Sequence, residues 1–230
     1  MVSAIHSNLQ RVREKLADAV RKSGRNDEDV RLVAVTKTYP VEDILEAVRC
    51  GVVSIGENRV QELSEKRSLW SGPSIEWRFI GHLQGNKVRK VLEFASTVDS
   101  LDSLSLARAL SRVAEEKKMR LPVLIEVNTS GEESKHGAAP SDAAPLLESV
   151  MKECPALQVE GLMTVGPLTD DEAEVRRAFA LLRGIRDSLS GAFGLRLKEL
   201  SMGMSGDYEW AVDEGSTMVR IGSAIFGKRT

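Results

Sequence analysis

The stretch RLVAVTKTYPVEDILEAVR, residues 31–49, changes its hydrophobic period part-way along, and that change decides the fold. Residues 31–36 form a short apolar run rich in β-branched side chains, as a strand requires, and Pro40 then opens the helical stretch Val41–Arg49. A strand followed at once by a helix is half of a parallel crossover unit, because parallel strands need such a connection to bring the chain back. The same unit recurs along the chain. Strands are expected at residues 52–55, 77–80, 97–99, 123–127, 157–163, 197–200 and 218–221, and helices at 58–69, 86–94, 103–118, 140–151, 170–190 and 207–213. Ahead of the first strand, Ile5, Leu9, Val12, Leu16 and Val20 fall at helical spacing, so an extra amphipathic helix opens the chain and ends near Ser23 and Gly24. Eight units imply a single-domain α/β fold over residues 1–230, a (β/α)8 barrel of TIM type. A doubly wound open sheet is the competing arrangement, since strand count alone does not prove closure.

Composition narrows the function classes. With 42% hydrophobic and 29% charged residues, the chain has the apolar content for a sizeable core. Its 32 basic and 34 acidic side chains are interspersed and leave a formal net charge of -2, so no broad positive field is present to bind nucleic acid. Cys50 and Cys154 lie far apart without metal-type or CxxC spacing, which suits a reducing cytoplasm rather than a disulfide framework or a zinc site. Neither a signal segment nor a run of 18 apolar residues is visible, so a soluble protein without membrane contact is expected. The nucleophile motif GxSxG and the phosphate loop GxxxxGK[ST] are both absent, which removes the usual hydrolase and P-loop readings.

In a parallel barrel the working residues lie at the C-terminal ends of strands and in the loops beyond them. The polar residues at those positions are Thr36-Lys37-Thr38, Gly56-Glu57-Asn58-Arg59, Gly81-His82-Leu83-Gln84, Asp99, Asn128, Met163-Thr164, the segment 201–205 and Arg220-Ile221-Gly222-Ser223. Lys37 ends the first strand, with its stem against the core. Partial desolvation there favours the neutral amine, which condenses with aldehydes, although a strand-end lysine can also simply extend its charge to solvent. Ser201-Met202-Gly203-Met204-Ser205-Gly206-Asp207 leaves strand seven for a helix, with Ser205 or Asp207 as its cap. Gly222 and Ser223 begin a short helix after strand eight. Barrels often build a phosphate site from these two loops, and turn glycines are the plain alternative. Asn58 and His82 can border a planar ligand or serve as loop residues. Glu57 and Arg59 are expected to form a surface ion pair, and His6 and His136 to be exposed without partners. The loop 130–141, with Gly131 and Gly137, is either a lid or an ordinary surface loop.

Taken together, Val33-Ala34-Val35-Thr36-Lys37, Gly56-Glu57-Asn58, the segment 80–87, Gly161-Leu162-Met163, Leu200-Ser201-Met202-Gly203-Met204-Ser205 and Val219-Arg220-Ile221-Gly222 resemble the pyridoxal phosphate homeostasis proteins over nearly the whole chain. The resemblance implies a barrel of the fold-type III pyridoxal 5′-phosphate (PLP) class, related to the N-terminal domain of alanine racemase. It also implies roles for particular residues. Lys37 would hold PLP as a Schiff base; Ser205, Gly222 and Ser223 would bind its phosphate; Arg220 would face the pyridine nitrogen; Asn58, His82 and Met202 would complete the pocket. Ser223 stands where many members have threonine and keeps the hydroxyl. Gly206 replaces an acidic residue common in relatives, leaving Asp207 as the acid of that loop.

An arginine facing the pyridine nitrogen disfavours its protonation and weakens the ring as an electron sink. The chain also runs only a short way past strand eight, so the second domain that supplies the opposing tyrosine in alanine racemase is not expected. Both points favour a non-catalytic carrier that buffers PLP or delivers it to apo-enzymes, with no catalytic residue and no metal site. The alternative is a PLP-dependent amino-acid racemase that uses Lys37 and His82 as acid and base. Charged outer helix positions favour a monomer.

Overall fold

The computed structural model describes residues 3–26 and 29–227. Eight parallel strands, β1 (Arg31–Val35), β2 (Ser54–Glu57), β3 (Glu76–Phe79), β4 (Thr97–Leu101), β5 (Leu121–Glu126), β6 (Leu157–Met163), β7 (Glu199–Ser201) and β8 (Met218–Ile221), pair in sequence order into a closed barrel. Closure is made by β8 on β1, with Val33 opposite Arg220 and Ala34 opposite Ile221. An open doubly wound sheet has no such pairing, so that alternative falls away. The short tail expected after strand eight lies at residues 228–230, outside the described residues.

Nine α-helices occur among the described residues. Helix α1 (Ala4–Lys22) precedes the barrel. The others, α2 (Val41–Arg49), α3 (Val60–Ser68), α4 (Val88–Val91), α5 (Leu104–Glu116), α6 (Ala143–Glu153), α7 (Glu172–Phe193), α8 (Tyr208–Asp213) and α9 (Ser223–Phe226), come after successive strands. The Ser3 hydroxyl caps α1 by accepting the His6 N–H, and its apolar stripe from Ile5 to Val20 is buried. This stripe packs on α8 and α9, where Asn8 Nδ2 donates to Ile225 O at 3.0 Å. The fourth helix is shorter than its hydrophobic pattern suggests: residues 85–87 form a 3₁₀ turn and only Val88–Val91 is α-helical.

The alternation along the strands sorts the interior. Ala34, Ile55, Trp77, Phe79, Val98, Val219 and Ile221 join the apolar layer between sheet and helices. Their alternates, including Val33, Arg78, Asp99 and Arg220, therefore face the barrel axis, because successive side chains point to opposite faces of a sheet. The axis is consequently partly ionic. Arg78 makes a two-pronged pair with Asp99, with Nε–Oδ2 and Nη2–Oδ1 both at 2.8 Å, and its Nη1 donates to Glu76 at 2.7 Å. Arg31 closes a further pair with Glu199 at 2.8 Å.

Three strands end later than the sequence suggests. Strand β2 runs to Glu57 rather than residue 55, β4 to Leu101 rather than residue 99, and β7 to Ser201 rather than residue 200. The shift in β2 corrects the expectation for Glu57: it is the last strand residue, fully buried, and pairs with Lys66 of α3 at 2.7 Å instead of with Arg59 at the surface. Arg59 is exposed and approaches Glu62 at 3.8 Å.

Candidate functional site

The C-terminal mouth of the barrel gathers most of the residues that the strand ends and loops mark out. Past β1, Thr36 N donates to Gly56 O at 3.1 Å and Thr36 O accepts the Tyr39 N–H at 3.1 Å, so Lys37 sits in a tight turn. It is half-buried. The next residue, Thr38, has φ +70°, a left-handed conformation that a β-branched residue rarely adopts. Helix α3 holds the peptide groups on both sides of Lys37. Lys66 Nζ donates to Thr36 O at 2.6 Å, and Thr38 N donates to Glu62 Oε2 at 2.7 Å. The Thr36 hydroxyl also donates to Glu57, and Lys66 reaches Glu62 at 3.2 Å.

These contacts tune the two carboxyl groups in opposite directions. Burial raises Glu57, and Lys66 with the Thr36 hydroxyl only partly offsets it. Burial also pushes Glu62 upward, but the Thr38 N–H and Lys66 outweigh it and hold this carboxyl below its ordinary value.

The loops after β7 and β8 meet beside the end of β1. Gly222 lies close on β1: a Cβ there would stand 3.1 Å from Val35 O and 3.4 Å from Val35 Cβ, a tighter contact than most side chains make. Gly222 thus seats the start of α9 against the last residue of β1, two residues before Lys37. Ser205 Oγ accepts the Ala224 N–H at 3.3 Å, placing the serine hydroxyl at the first turn of α9. Ser223, next to Ala224, is exposed. Tyr39 fastens the β1 turn to the same segment: its hydroxyl donates to Gly227 O at 2.7 Å and its ring lies 4.8 Å from that of Phe226.

Arg220 is buried beneath these loops. Its Nη1 donates to Ser201 O and Oγ at 2.8 and 2.7 Å, and its Nη2 to Thr164 O at 2.7 Å. Burial lowers its pKa, while Asp99, Glu126 and Asp207 oppose that shift. Glu126 is in turn raised by burial to about 7, against the pull of Arg220. Asp207 is also raised by burial, against the Met204 N–H that donates to it at 2.6 Å.

After β2, the strand next to β1, Asn58 is half-buried, and its Oδ1 has no hydrogen-bond partner among the described residues. The loop after β3 lies directly on it: a Cβ on Gly81 would fall 2.2 Å from Asn58 O. His82 comes next and is largely exposed. Its ring stacks on that of His136 with centroids 4.0 Å apart and planes 9° from parallel, and its Nδ1 lies 3.4 Å from Asp102. His136 therefore has a partner, contrary to expectation, because the loop after β5 folds over the mouth. Ligand atoms of His82, Asp102 and His136 fall within 4.8 Å of one another. A metal must lie near the plane of each imidazole it binds, and parallel rings 4.0 Å apart cannot both meet that condition for one ion. The pair as it stands is a stacking contact between two loops.

The structure thus brings Lys37 and Gly222 together at the end of β1, Ser205 and Ser223 to the start of α9, Arg220 beneath them, and Asn58 with His82 to the loops after the neighbouring strands β2 and β3. Met202 is different: it is fully buried and packs in the core. Sequence reasoning missed Glu62, Lys66, Asp102 and Glu126. The first two belong to one face of α3, and their i, i+4 spacing was the available signal.

Comparisons with known proteins agree with this architecture. Residues 2–230 match the family model for the alanine racemase N-terminal domain. A pyridoxal phosphate homeostasis protein of Aquifex aeolicus is 41% identical over 221 residues, covering 96% of each chain. The Homo sapiens protein of that name is 41% identical over 234 residues, covering 96% of this chain and 85% of its own. Among solved structures, PipY of Synechococcus elongatus with PLP bound superposes with a TM-score of 0.84 at 35% identity, covering 97% of this chain and all (100%) of that one. A Clostridium difficile alanine racemase, 16% identical with a TM-score of 0.77, shares the fold, and the match covers 98% of this chain but only 56% of the racemase. From its full-length match to the family model and its identity to these relatives, the chain belongs to the alanine racemase N-terminal domain family and, within it, to the pyridoxal phosphate homeostasis proteins.

Proposed function

We propose that this chain binds PLP at the C-terminal mouth of its barrel, tethers it to Lys37 as a Schiff base, and serves intracellular PLP homeostasis by buffering or delivering the cofactor. The observation that carries the reading is the seating of Gly222 on Val35, with Ser205 bonded to Ala224, which sets the loops after β7 and β8 beside the end of β1, two residues before Lys37. PLP is the cofactor bound in the solved PipY structure. The residues here fit such a group. Ser205, Ser223 and the backbone N–H groups at the start of α9 would hold a phosphate; Asn58 Oδ1 is an acceptor in need of a donor; His82 offers a ring at the rim. Met202, enclosed in the core, would support the loop from beneath rather than touch the ligand.

PLP supplies an aldehyde that condenses reversibly with a lysine amine, releasing one water. The chain's own residues restrict any further chemistry. Arg220 is fastened by three hydrogen bonds to main-chain and hydroxyl oxygens and keeps a fixed cation below the pocket. A guanidinium has no proton to give at working pH, so facing the pyridine nitrogen it would leave that nitrogen unprotonated and the ring a poor electron sink. This supports a carrier without strong catalysis. We place the protein in the cytoplasm as a monomer of one PLP-binding domain, with apo PLP enzymes as recipients.

The reading is tested by loading the protein with PLP, dialysing, reducing with borohydride and locating the adduct by peptide mass spectrometry. An adduct on Lys37 that disappears in Lys37→Ala is the expected result, and an unmodified Lys37 overturns it. Incubation with amino acids in heavy water tests the non-catalytic part: rapid Lys37-dependent exchange of the α-hydrogen would replace the carrier by an enzyme.

A further inference from the structure

Helix α3 grips the turn that carries Lys37, and the grip has features that ordinary packing does not need. Lys66 is almost fully enclosed, yet its three ammonium protons find three acceptors: Thr36 O at 2.6 Å, Glu57 Oε1 at 2.7 Å and Glu62 Oε2 at 3.2 Å. Glu62, fixed by Lys66, accepts the Thr38 N–H at 2.7 Å. The peptide groups before and after Lys37 are thus each bonded to one charged side chain of the same helix. Between them the chain makes an unfavourable turn, since Thr38 stands at φ +70° on a residue type that resists it. A strained conformation persists only where its surroundings over-determine it. Here the surroundings are the two charge-assisted bonds from α3 and the hydroxyl bond of Thr36 to Glu57.

We propose that Glu62 and Lys66 are positioning residues for the PLP site: they hold Thr38 in its left-handed conformation and so aim the Lys37 side chain toward the loops after β7 and β8. Neither reaches the cofactor, and each acts through the backbone on either side of Lys37. The inference rests on the reading of Lys37 as the tether. In this arrangement the direction of the lysine is set before the ligand arrives, so the cost of ordering the turn falls on folding rather than on binding. Without the grip, Thr38 relaxes to a negative φ and the lysine stem swings away from the mouth.

The test uses the full chain and four proteins: wild type, Glu62→Ala, Glu62→Gln, and Glu62→Ala combined with Thr38→Gly. Glutamine retains an acceptor for the Thr38 N–H. Glycine at 38 adopts the left-handed conformation without penalty and restores the turn by another route. PLP affinity is read by equilibrium titration, orientation of the bound cofactor by visible circular dichroism, and fold by thermal melting of the unloaded protein. Glu62→Ala is expected to weaken PLP binding by about tenfold, as loss of one charge-assisted hydrogen bond implies, and to alter the visible dichroism. Glu62→Gln should lose less, and the Thr38→Gly background should recover most of the affinity and the wild-type dichroism.

Wild-type affinity and dichroism in Glu62→Ala would overturn the proposal. So would a loss of affinity that tracks the melting temperature and is not recovered with glycine at 38, since that marks a purely structural residue. Failure of the underlying reading is separate and visible in wild type alone, as an absent borohydride-trapped adduct on Lys37. Should Glu62→Ala prove too unstable to titrate, the single variant Thr38→Ala decides. Alanine retains the positive-φ penalty but lacks branching at Cβ, so it is expected to keep wild-type affinity while α3 still holds the turn, and a loss of tenfold or more overturns the proposal.

Discussion

Arg220 Nη2 donates to the main-chain oxygen of Thr164 at 2.7 Å, tying β8 to the loop after β6 across the mouth of the barrel. With the two bonds from Nη1 to Ser201, the guanidinium satisfies buried oxygens that have no access to water. It also faces Asp99, Glu126 and Asp207 as their common cation. Arg220→Gln should therefore lower unfolding free energy by about 3–5 kcal/mol, the usual result of removing one member of a buried ionic network. Arg220→Lys keeps the charge but not the fork, and should fall between the two. Denaturant midpoints decide the matter, and a loss below about 1 kcal/mol for Arg220→Gln would show that water enters to replace it.

The pair Arg78–Asp99 tests the ionic axis by itself. Asp99→Asn leaves Arg78 buried with only Glu76 as an anionic partner, so a loss of about 3 kcal/mol is expected. Replacing both members with apolar residues of similar size, Arg78→Met with Asp99→Leu, should cost less than the single change, because the buried guanidinium goes with its partner, the Glu76 left behind is partly exposed and still accepts from Ser54, and Arg220 loses Asp99 in either case. A double variant less stable than Asp99→Asn would contradict this account.

Glu126 gives the mouth a pH dependence near neutrality. Burial raises its carboxyl from 4.5 to about 7, so the folded state holds the proton more tightly than the unfolded chain. Its contribution to stability is fully present below about 4.5 and is lost as pH rises through about 7, by ~3 kcal/mol in total. Glu126→Gln removes the titration. The variant should be more stable than wild type at pH 8 and match it at pH 4, as read by guanidinium unfolding across that range. Parallel curves for the two proteins would show that Glu126 titrates in its ordinary range.

The barrel was legible because its signal is local. Residues 31–49 announce a strand and a helix by their period, and seven repetitions of that pattern leave few topologies. Closure was not legible, since the pairing of Val33 with Arg220 joins residues from opposite ends of the chain. The site divides in the same way. Lys37, Ser205, Arg220 and Gly222 stand out because strand ends and glycine turns mark them. Glu57 was misread because burial at a strand end depends on where the strand stops, and two residues of extra strand turned a surface acid into an enclosed partner of Lys66. His136 was misread because its partner, His82, arrives from a loop 54 positions away in number. Met202 shares a loop with Ser205, but alternation sends its side chain into the core.

Gly81 offers a final test that couples packing to the pocket. The loop after β3 can lie on Asn58 only because residue 81 has no side chain: a Cβ would stand 2.2 Å from Asn58 O and 2.6 Å from Asn58 Cα, and backbone atoms cannot swing aside as a flexible side chain can. The same loop is held from below by Ser100 Oγ, which donates to Gly81 O at 2.6 Å. Gly81→Ala must therefore push His82 and Asn58 apart or break that bond, at a cost of about 1–3 kcal/mol. Its φ lies outside the left-handed region, so the effect is one of space rather than backbone conformation. Because Asn58 Oδ1 is proposed as an acceptor for the ligand, the variant should also bind PLP more weakly than its stability loss explains. Gly85→Ala, in the same connection but with nothing within 4 Å of the new Cβ, is the control and should bind as wild type does. Equal PLP affinities for Gly81→Ala and Gly85→Ala would remove Asn58 and His82 from the pocket.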